Sequence, residues 1–212
     1  MLPGDIVFTV AHQDDKIPTK VPRVFIRAGQ WLKAKVFHSE TPNLPIVHAA
    51  IAWDATHVIE SVGAGIRLCD LSQEQPPRSA MVYSCTDQTL AAASAYAAQQ
   101  FQQDTASGGI PGGYSTWKAM LSIFRRNVYG RMLPERLNES IGIGDSSFCS
   151  QFVANAYEVG NLYSNANLEP LPPPIFNIRP TLMTPWELAA ICDNDGSFYF
   201  AGFWEDGQEV RL

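Results

Sequence analysis

Residues 47–62 read VHAAIAWDATHVIESV, two short apolar runs on either side of Asp54. Short runs rich in β-branched residues around a polar turn are typical of a β-hairpin. His48 and Glu60 are six residues to either side of Asp54. If the loop is centred on Asp54, these two residues lie directly opposite each other on one face of the hairpin. Any odd-length loop with that centre gives this pairing, whereas a two-residue loop moves Glu60 to the other face. The segment therefore predicts an imidazole beside a carboxylate on one face of a sheet.

Strands and helices are mixed along the rest of the chain. The further strands predicted from β-branched and aromatic runs are 6–10, 80–85 and 197–203. The helices predicted from apolar periodicity and cap residues are 24–37, 86–103, 115–128 and 145–160, the last with Gly160 as its C-cap. The glycine-rich residues 105–113 are predicted to form a loop and the proline-rich residues 169–185 an irregular connection. This order predicts the α+β class, with helices packed on an antiparallel sheet.

The composition is that of one globular domain covering residues 1–212. Of the 212 residues, 46% are hydrophobic and 17% charged, which is ample for one core, and no linker rich in Ser and Gly or in charge divides them. The net charge is −6, and no basic cluster is longer than Arg125-Arg126. A nucleic-acid partner needs a basic surface that replaces condensed counterions, so this class of partner is excluded. No apolar run approaches the ~18 residues of a membrane span.

The N-terminal residues 1–5, MLPGD, lack the basic start and the apolar core of a secretory signal. Three interpretations stay open. The protein is cytoplasmic as made, or its signal has been trimmed, or it is exported by a route that does not read such a signal.

Cys149 differs from the other cysteines in its place along the chain. Cys69, Cys85, Cys149 and Cys192 contain no C-x-x-C pair and are too few for a disulfide framework, so each is first interpreted as a small buried side chain. Cys149, however, follows the cap residues 145–147 of a predicted helix. Free N–H groups and the helix dipole at such a position favour the thiolate, which is the reactive form of cysteine. Cys149 is therefore the candidate nucleophile.

Cys149, His48 and Glu60 together form a candidate catalytic triad. A cysteine nucleophile needs a base that takes its proton, and a carboxylate beside the imidazole fixes its tautomer and stabilises the charged ring. Free N–H groups of the first helical turn would also bind the oxyanion of a tetrahedral intermediate. Taken singly, the three residues are explained as a buried thiol, a core histidine and a surface charge. A hairpin has little other reason to carry the last two together.

Five short motifs resemble those of a known family. They are GDIVF at 4–8, VHAAIAW at 47–53, VIESVG at 58–63, FCSQFV at 148–153 and MTPWEL at 183–188. In this order they resemble the circularly permuted NlpC-type, papain-like cysteine hydrolases, and within them the YiiX/YaeF-like proteins. In that group the histidine strand precedes the cysteine helix and a Glu follows the His in the next strand. The resemblance implies Cys149 as nucleophile, His48 as base and Glu60 as the group that orients the base.

The resemblance also implies the chemistry and a substrate class. The reaction would be hydrolysis of an amide bond through a thioester, and peptides of bacterial peptidoglycan would be the leading substrate. A wall-cutting enzyme without a signal peptide is explained by delivery, for example as a type VI secretion effector, and only then is an immunity or delivery protein expected as a partner. Two alternatives stay open: a lipid thioesterase or acyltransferase of the same fold, and a catalytically silent binding module.

Two departures from the family pattern concern substrate choice. The acidic residue usual two places after the cysteine is replaced by Gln151, and the glycine-rich and proline-rich segments are longer than in the family. No cofactor is implied. A zinc site built from His48, Glu60 and Cys149 is less favoured, because no two of these ligands are close in sequence.

Other candidate sites are weaker. The remaining histidines, His12, His38 and His57, have no expected partner at useful spacing, and alternation should turn His57 away from the face of Glu60. The glycine-rich residues 108–113 lack the Lys and Ser or Thr of a phosphate-binding loop.

Overall fold

The computed structural model describes residues 1–10, 46–62, 65–75, 77–106, 149–165, 172–176, 183–205 and 207–211. The predicted helices at 24–37 and 115–128, the cap residues 145–147 and residues 107–113 of the predicted loop lie outside them. The described strands are β1 (Ile6–Val10), β2 (Ile46–Ala52), β3 (His57–Val62), β4 (Gly65–Asp70), β5 (Ala80–Cys85), β6 (Phe198–Glu205) and β7 (Gln208–Arg211). The described helices are α1 (Gln88–Ala106), α2 (Cys149–Ser164) and α3 (Pro185–Asn194), with one 3-10 turn at Leu71–Gln73.

The seven strands form one antiparallel sheet in the order β4-β3-β2-β1-β5-β6-β7. Within the described residues, the three helices pack against this sheet, which confirms the predicted α+β class. None of the described helices combines the length and the apolar character that crossing a membrane requires.

The central strand β1 is buried on both faces. Its side chains alternate, so Ile6 and Phe8 join the core cluster that includes the helices, whereas Val7 joins a second cluster on the opposite face. That second cluster includes the fully buried Trp204 of β6. Two apolar layers therefore flank the sheet, and the helices cover one of them.

The β2–β3 hairpin is confirmed, but its register is not the predicted one. Ile51 pairs with Ile59 and Ala52 with Val58, so the loop is centred on Ala55 rather than Asp54. The cause is an Asx turn: the side chain of Asp54 accepts hydrogen bonds from the backbone N–H groups two and three residues later, at 2.9 and 2.8 Å, and so begins the turn.

The shift by two residues keeps His48 and Glu60 on the same face, because it preserves the odd loop length. Continued along the strands, this register puts Glu60 opposite Ala50 rather than His48. The strand carries one further irregularity beside the histidine. Thr9 of β1 pairs with His48 and the next residue pairs with Ile46, so Val47 is a β-bulge that bends β2 directly before His48.

Helix α1 begins as predicted and α2 ends later than predicted. The Asp87 side chain caps α1 by accepting from the N–H groups of the second and third residues of its first turn, at 2.9 and 3.1 Å. Gly160 is not a C-cap, since α2 continues to Ser164. A Cβ at Gly160 would lie 2.5 Å from Ser94 Oγ and 2.7 Å from Ser94 N on α1. Glycine is therefore required by the close approach of the two helices.

Gly160→Ala is expected to lower the free energy of unfolding by about 1–3 kcal/mol, although alanine favours a helix more than glycine. The added methyl group meets the backbone of Ser94, which cannot rotate away. Urea denaturation measures the change. Gly196→Ala is the control, because a Cβ there meets no atom within 4 Å. Equal stability of both variants with wild type would mean that the helices separate at no cost.

Two strands, one helix and the 3-10 turn were not predicted from the sequence. β6 is followed by β7, so the predicted strand 197–203 is not the last. β4 was not predicted either. Helix α3 begins inside the stretch taken as irregular connection, where the side chain of Thr184 and that of Glu187 form a reciprocal capping box and Pro185 is the first helical residue.

Candidate active site

Cys149 reaches the sheet where β2 and β3 separate. Among the described residues these strands pair only at their hairpin end. Ala52 N–H donates to Asp5 O of the chain leading into β1, at 2.8 Å. Backbone groups alternate along a strand, so the N–H of Ala49 points to the other side, towards β3. There it donates to the sulfur of Cys149, as does the N–H of Ser150. The start of α2 thus lies beside β2, on the side that faces β3.

His48 is hydrogen-bonded to both other members of the predicted triad. Its Nε2 lies 2.8 Å from Glu60 Oε2, and its ring is also hydrogen-bonded to the side chain of Cys149. Since Nε2 faces the carboxylate, Nδ1 is the nitrogen left for the thiol. Cys149 is 5% exposed and Glu60 fully buried, whereas the side chain of His48 keeps 17% exposure. The structure therefore brings the three predicted site residues into one contiguous row.

Two arginines hold Glu60 in addition to His48. Arg67 of β4 donates through Nε and Nη2 to Glu60 Oε1, at 2.9 and 2.6 Å. Arg78, which precedes β5, donates through Nη1 to Glu60 Oε2 at 2.6 Å and also pairs with Glu74. A buried carboxylate is stable only when such donors replace its hydration.

The contacts favour the charged forms of both Cys149 and His48. Burial alone would lower the pKa of His48, but the charge of Cys149 and hydrogen bonds to Cys149 and Glu60 outweigh it and raise the pKa to about 9. Burial alone would raise the pKa of the Cys149 thiol, but the charge and hydrogen bond of His48 and two backbone N–H groups lower it. Both shifts favour the thiolate–imidazolium form of the pair over the neutral one.

The surroundings raise the pKa of the other three cysteines and lower that of Glu60. Burial raises the pKa of Cys69 to about 12 and also raises that of Cys85 and Cys192. Although burial opposes ionisation of Glu60 as well, its hydrogen bonds and the charges of His48 and Arg78 hold the pKa of its carboxyl well below the usual range. Glu60 thus stays an anion while His48 gains or loses its proton.

We expect iodoacetamide at neutral pH to label Cys149 before the other three cysteines. The thiolate reacts, and only Cys149 has a lowered pKa. Labelling should decline as the pH falls through the pKa of Cys149. Hydrolysis should in addition decline as the pH rises through about 9, because His48 then loses the proton that it gives to the leaving group. Peptide mass spectrometry after labelling with one equivalent gives the order of reaction. Faster labelling of the partly exposed Cys69 would contradict the assignment.

The start of α2 is also fixed to α3. Ser150 Oγ donates to the carbonyl oxygen of Met183 at 2.5 Å, directly before the capped first turn of α3. The segment Met183–Leu188, singled out in the sequence, therefore lies against the helix that carries Cys149.

One expectation about histidine was wrong, and two histidines lie outside the described residues. His57 does have partners: its Nδ1 lies 2.9 Å from Asp54 Oδ1 and its Nε2 lies 3.9 Å from Asp70. These contacts brace the tip of the hairpin, and they lie on the strand face opposite to Glu60, as alternation predicts. His12 and His38 are not described.

One group of potential metal ligands is found in the described part of the chain. Single ligand atoms of Glu60, Cys69 and Glu74 lie within 4.8 Å of one another. Both carboxylates are paired with Arg78, and the thiol of Cys69 donates to Glu74 at 3.1 Å. A cation there would displace a guanidinium group, so the chemistry of this set favours the arginine.

Arg67 and Arg78 were missed in the sequence. A signal existed for Arg67: a strand ending at Val62, followed by Gly63 and Gly65, indicates a second hairpin, and Glu60 and Arg67 are paired across it. No local pattern indicates Arg78, which follows β4 in the sequence and is 18 residues from Glu60.

No protein-family model, curated protein or solved structure matches this chain. Function is therefore inferred from the site itself.

Proposed function

We propose that this protein is a cysteine hydrolase, with a papain-like site of the permuted NlpC type, that cleaves an amide bond through a thioester. The observation that carries the proposal is the row Cys149–His48–Glu60, in which one ring nitrogen faces a buried thiol and the other a buried carboxylate at 2.8 Å. A structural cysteine needs neither a charged neighbour nor two backbone N–H donors at its sulfur.

In the proposed first half-reaction, the thiolate of Cys149 attacks the carbonyl carbon and forms a tetrahedral oxyanion. His48 then donates its proton to the departing amine, which leaves a thioester on Cys149 and a neutral imidazole. Glu60 keeps the ring oriented throughout, since its carboxylate stays ionised.

In the second half-reaction, a water molecule attacks the thioester while His48 accepts its proton. Collapse of the second tetrahedral intermediate releases the carboxylic acid and returns the thiolate–imidazolium pair. The backbone N–H of Ser150, already directed at the sulfur, is at the helix start where an oxyanion would be stabilised.

The proposed substrate is a peptide of bacterial peptidoglycan, and this part rests on the sequence motifs. The test is mass spectrometry of purified peptidoglycan incubated with wild type and with Cys149→Ala. New amide-cleavage products in the wild-type digest alone would support the proposal.

A parallel incubation with acyl thioesters and acyl phospholipids separates the alternatives. Release of fatty acid with an intact wall peptide would replace the substrate but keep the chemistry. Absence of any product from either substrate, together with slow labelling of Cys149, would favour a silent binding module.

A further inference from the structure

We propose that Arg78 is a positioning residue of this site, held by Glu74, so that the ion-paired row Glu74–Arg78–Glu60 fixes the ring of His48 towards Cys149. The inference rests on the proposed function, since orientation of the ring matters only if Cys149 reacts. Arg78 is bonded to Glu60 and Glu74 is bonded to Arg78, so both would act on His48 through Glu60.

The two oxygens of Glu60 have different tasks. Oε2 accepts from His48 Nε2 at 2.8 Å and from Arg78 Nη1 at 2.6 Å. Oε1 accepts mainly from Arg67, at 2.6 and 2.9 Å, and from Arg78 Nη2 only at 3.4 Å. Arg78 therefore holds the same oxygen that holds the imidazole.

Arg78 is held tightly by Glu74, whereas Arg67 reaches Glu74 only at 3.6 Å. The Nε and Nη2 atoms of Arg78 donate to the two oxygens of Glu74, both at 2.7 Å, which is the bidentate geometry that orients a planar guanidinium. The side chain of Arg78 is 10% exposed and that of Arg67 is 53% exposed. A buried guanidinium clamped between two carboxylates has one orientation, and it passes that orientation on to Glu60.

The arrangement also keeps the proton where the proposed reaction needs it. A buried carboxylate next to an imidazolium can accept its proton, which would leave two neutral groups and an isolated thiolate. The guanidinium of Arg78 favours the ionised form of Glu60 and so opposes this transfer. The proton then stays on His48, beside Cys149.

The charged and titratable groups around the pair come from several elements. In the described part of the chain they are Cys149 of α2, Glu60 of β3, Arg67 and Cys69 of β4, Glu74 after the 3-10 turn, and Arg78. A substitution that removes one of these charges changes the electrostatic potential at Cys149 in a known direction. A shift in the opposite direction therefore indicates a positioning effect.

Glu74→Gln is the deciding variant. The readout is the acid limb of Cys149 alkylation, which is the pH range over which the alkylation rate falls as the thiolate gains a proton. The variant removes an anion, so a purely electrostatic influence would make the site more positive and move this limb to lower pH. If Glu74 positions Arg78, loosening the clamp disorients His48, and the limb moves to higher pH. We expect the upward shift, by about one pH unit, which is roughly tenfold slower alkylation on the limb.

The comparison uses the full chain and needs no substrate. Arg78→Met should shift the limb upward at least as far as Glu74→Gln, and Arg78→Lys, which keeps the charge but not the fork, should not restore it. The double variant should be no worse than Arg78→Met, because Glu74 acts through Arg78. If Arg78→Met does not fold, Glu74→Gln decides by itself.

The control is Glu209→Gln on β7, which also removes an ion-paired, partly buried glutamate but lies at the other edge of the sheet. Its limb should stay in place. A Glu74→Gln limb that is unmoved or moves to lower pH would overturn the inference. Alkylation that behaves as expected in a protein without any hydrolytic product would instead overturn the proposed function and leave the positioning role intact.

Discussion

Cys149→Ala is expected to reduce hydrolysis on the order of 10³-fold or more and to leave the protein as stable as wild type, or more stable. The nucleophile has no substitute in the site, and removal of a nucleophile leaves only the binding contribution to the rate. Stability should not fall, because the variant removes a thiol whose charged form is desolvated, while His48 keeps Glu60 as its partner at 2.8 Å. Product formation from peptidoglycan and thermal unfolding are the two measurements.

Cys192→Ala is the matched control for the loss of a buried thiol. Cys192 of α3 is 1% exposed and burial raises its pKa, so it packs as an apolar side chain. This variant should keep full activity and lose stability through the cavity that it creates. The opposite pattern, a destabilised but active Cys149→Ala, would make Cys149 a packing residue.

Wild type and Cys149→Ala also test whether the substrate lies outside the cytoplasmic membrane, as a wall peptide does. Expressed in a bacterium, wild type should cause lysis only when a periplasmic signal is added, and Cys149→Ala should not. Lysis without the signal, or none with it, would remove the wall peptide as substrate.

The sequence pattern was sufficient for the relation between His48 and Glu60, although the predicted register was wrong. Side-chain direction depends on whether the loop length is odd, not on its centre, so a shift from Asp54 to Ala55 changed the opposite residue but not the face. The helix of Cys149 was likewise predictable from periodicity. Local periodicity carries such information because both features involve neighbours in sequence.

Packing between distant segments was not predictable from local pattern. Gly160 has the sequence context of a helix end, yet a glycine is needed there because Ser94 of another helix lies too close for a side chain. The short edge strand β7 lacks the alternation of apolar and polar residues that would indicate a strand, since three of its four residues are exposed. Helix α3 is different, because the T-P-x-E signal at Thr184 was present and was outweighed by the prolines around it.

Glu60→Gln is expected to reduce both stability and activity. The loss of stability should be large, because Glu60 is paired with two arginines. The carboxylate is fully buried and is shared by His48, Arg67 and Arg78. The amide of glutamine has one acceptor for these donors and directs its own N–H groups at a guanidinium. Breaking a buried ion pair on one side costs on the order of 3–5 kcal/mol, measurable by urea denaturation. Activity should fall roughly 10²-fold or more, yet less than in His48→Ala, because Glu60 orients the base but is not the base.

Asp5→Asn is the matched control for this prediction. Asp5 is also a buried carboxylate bonded to an arginine, at 3.2 Å from Arg211, but its other partners are Ser84 and the N–H of Leu2. This variant should lose stability and keep the pH profile of Cys149 alkylation, whereas Glu60→Gln should move the acid limb to higher pH, because His48 loses the anion that supports its charge. If both variants lose stability and neither moves the limb, Glu60 serves to neutralise the two arginines, and the group that orients His48 has to be sought elsewhere.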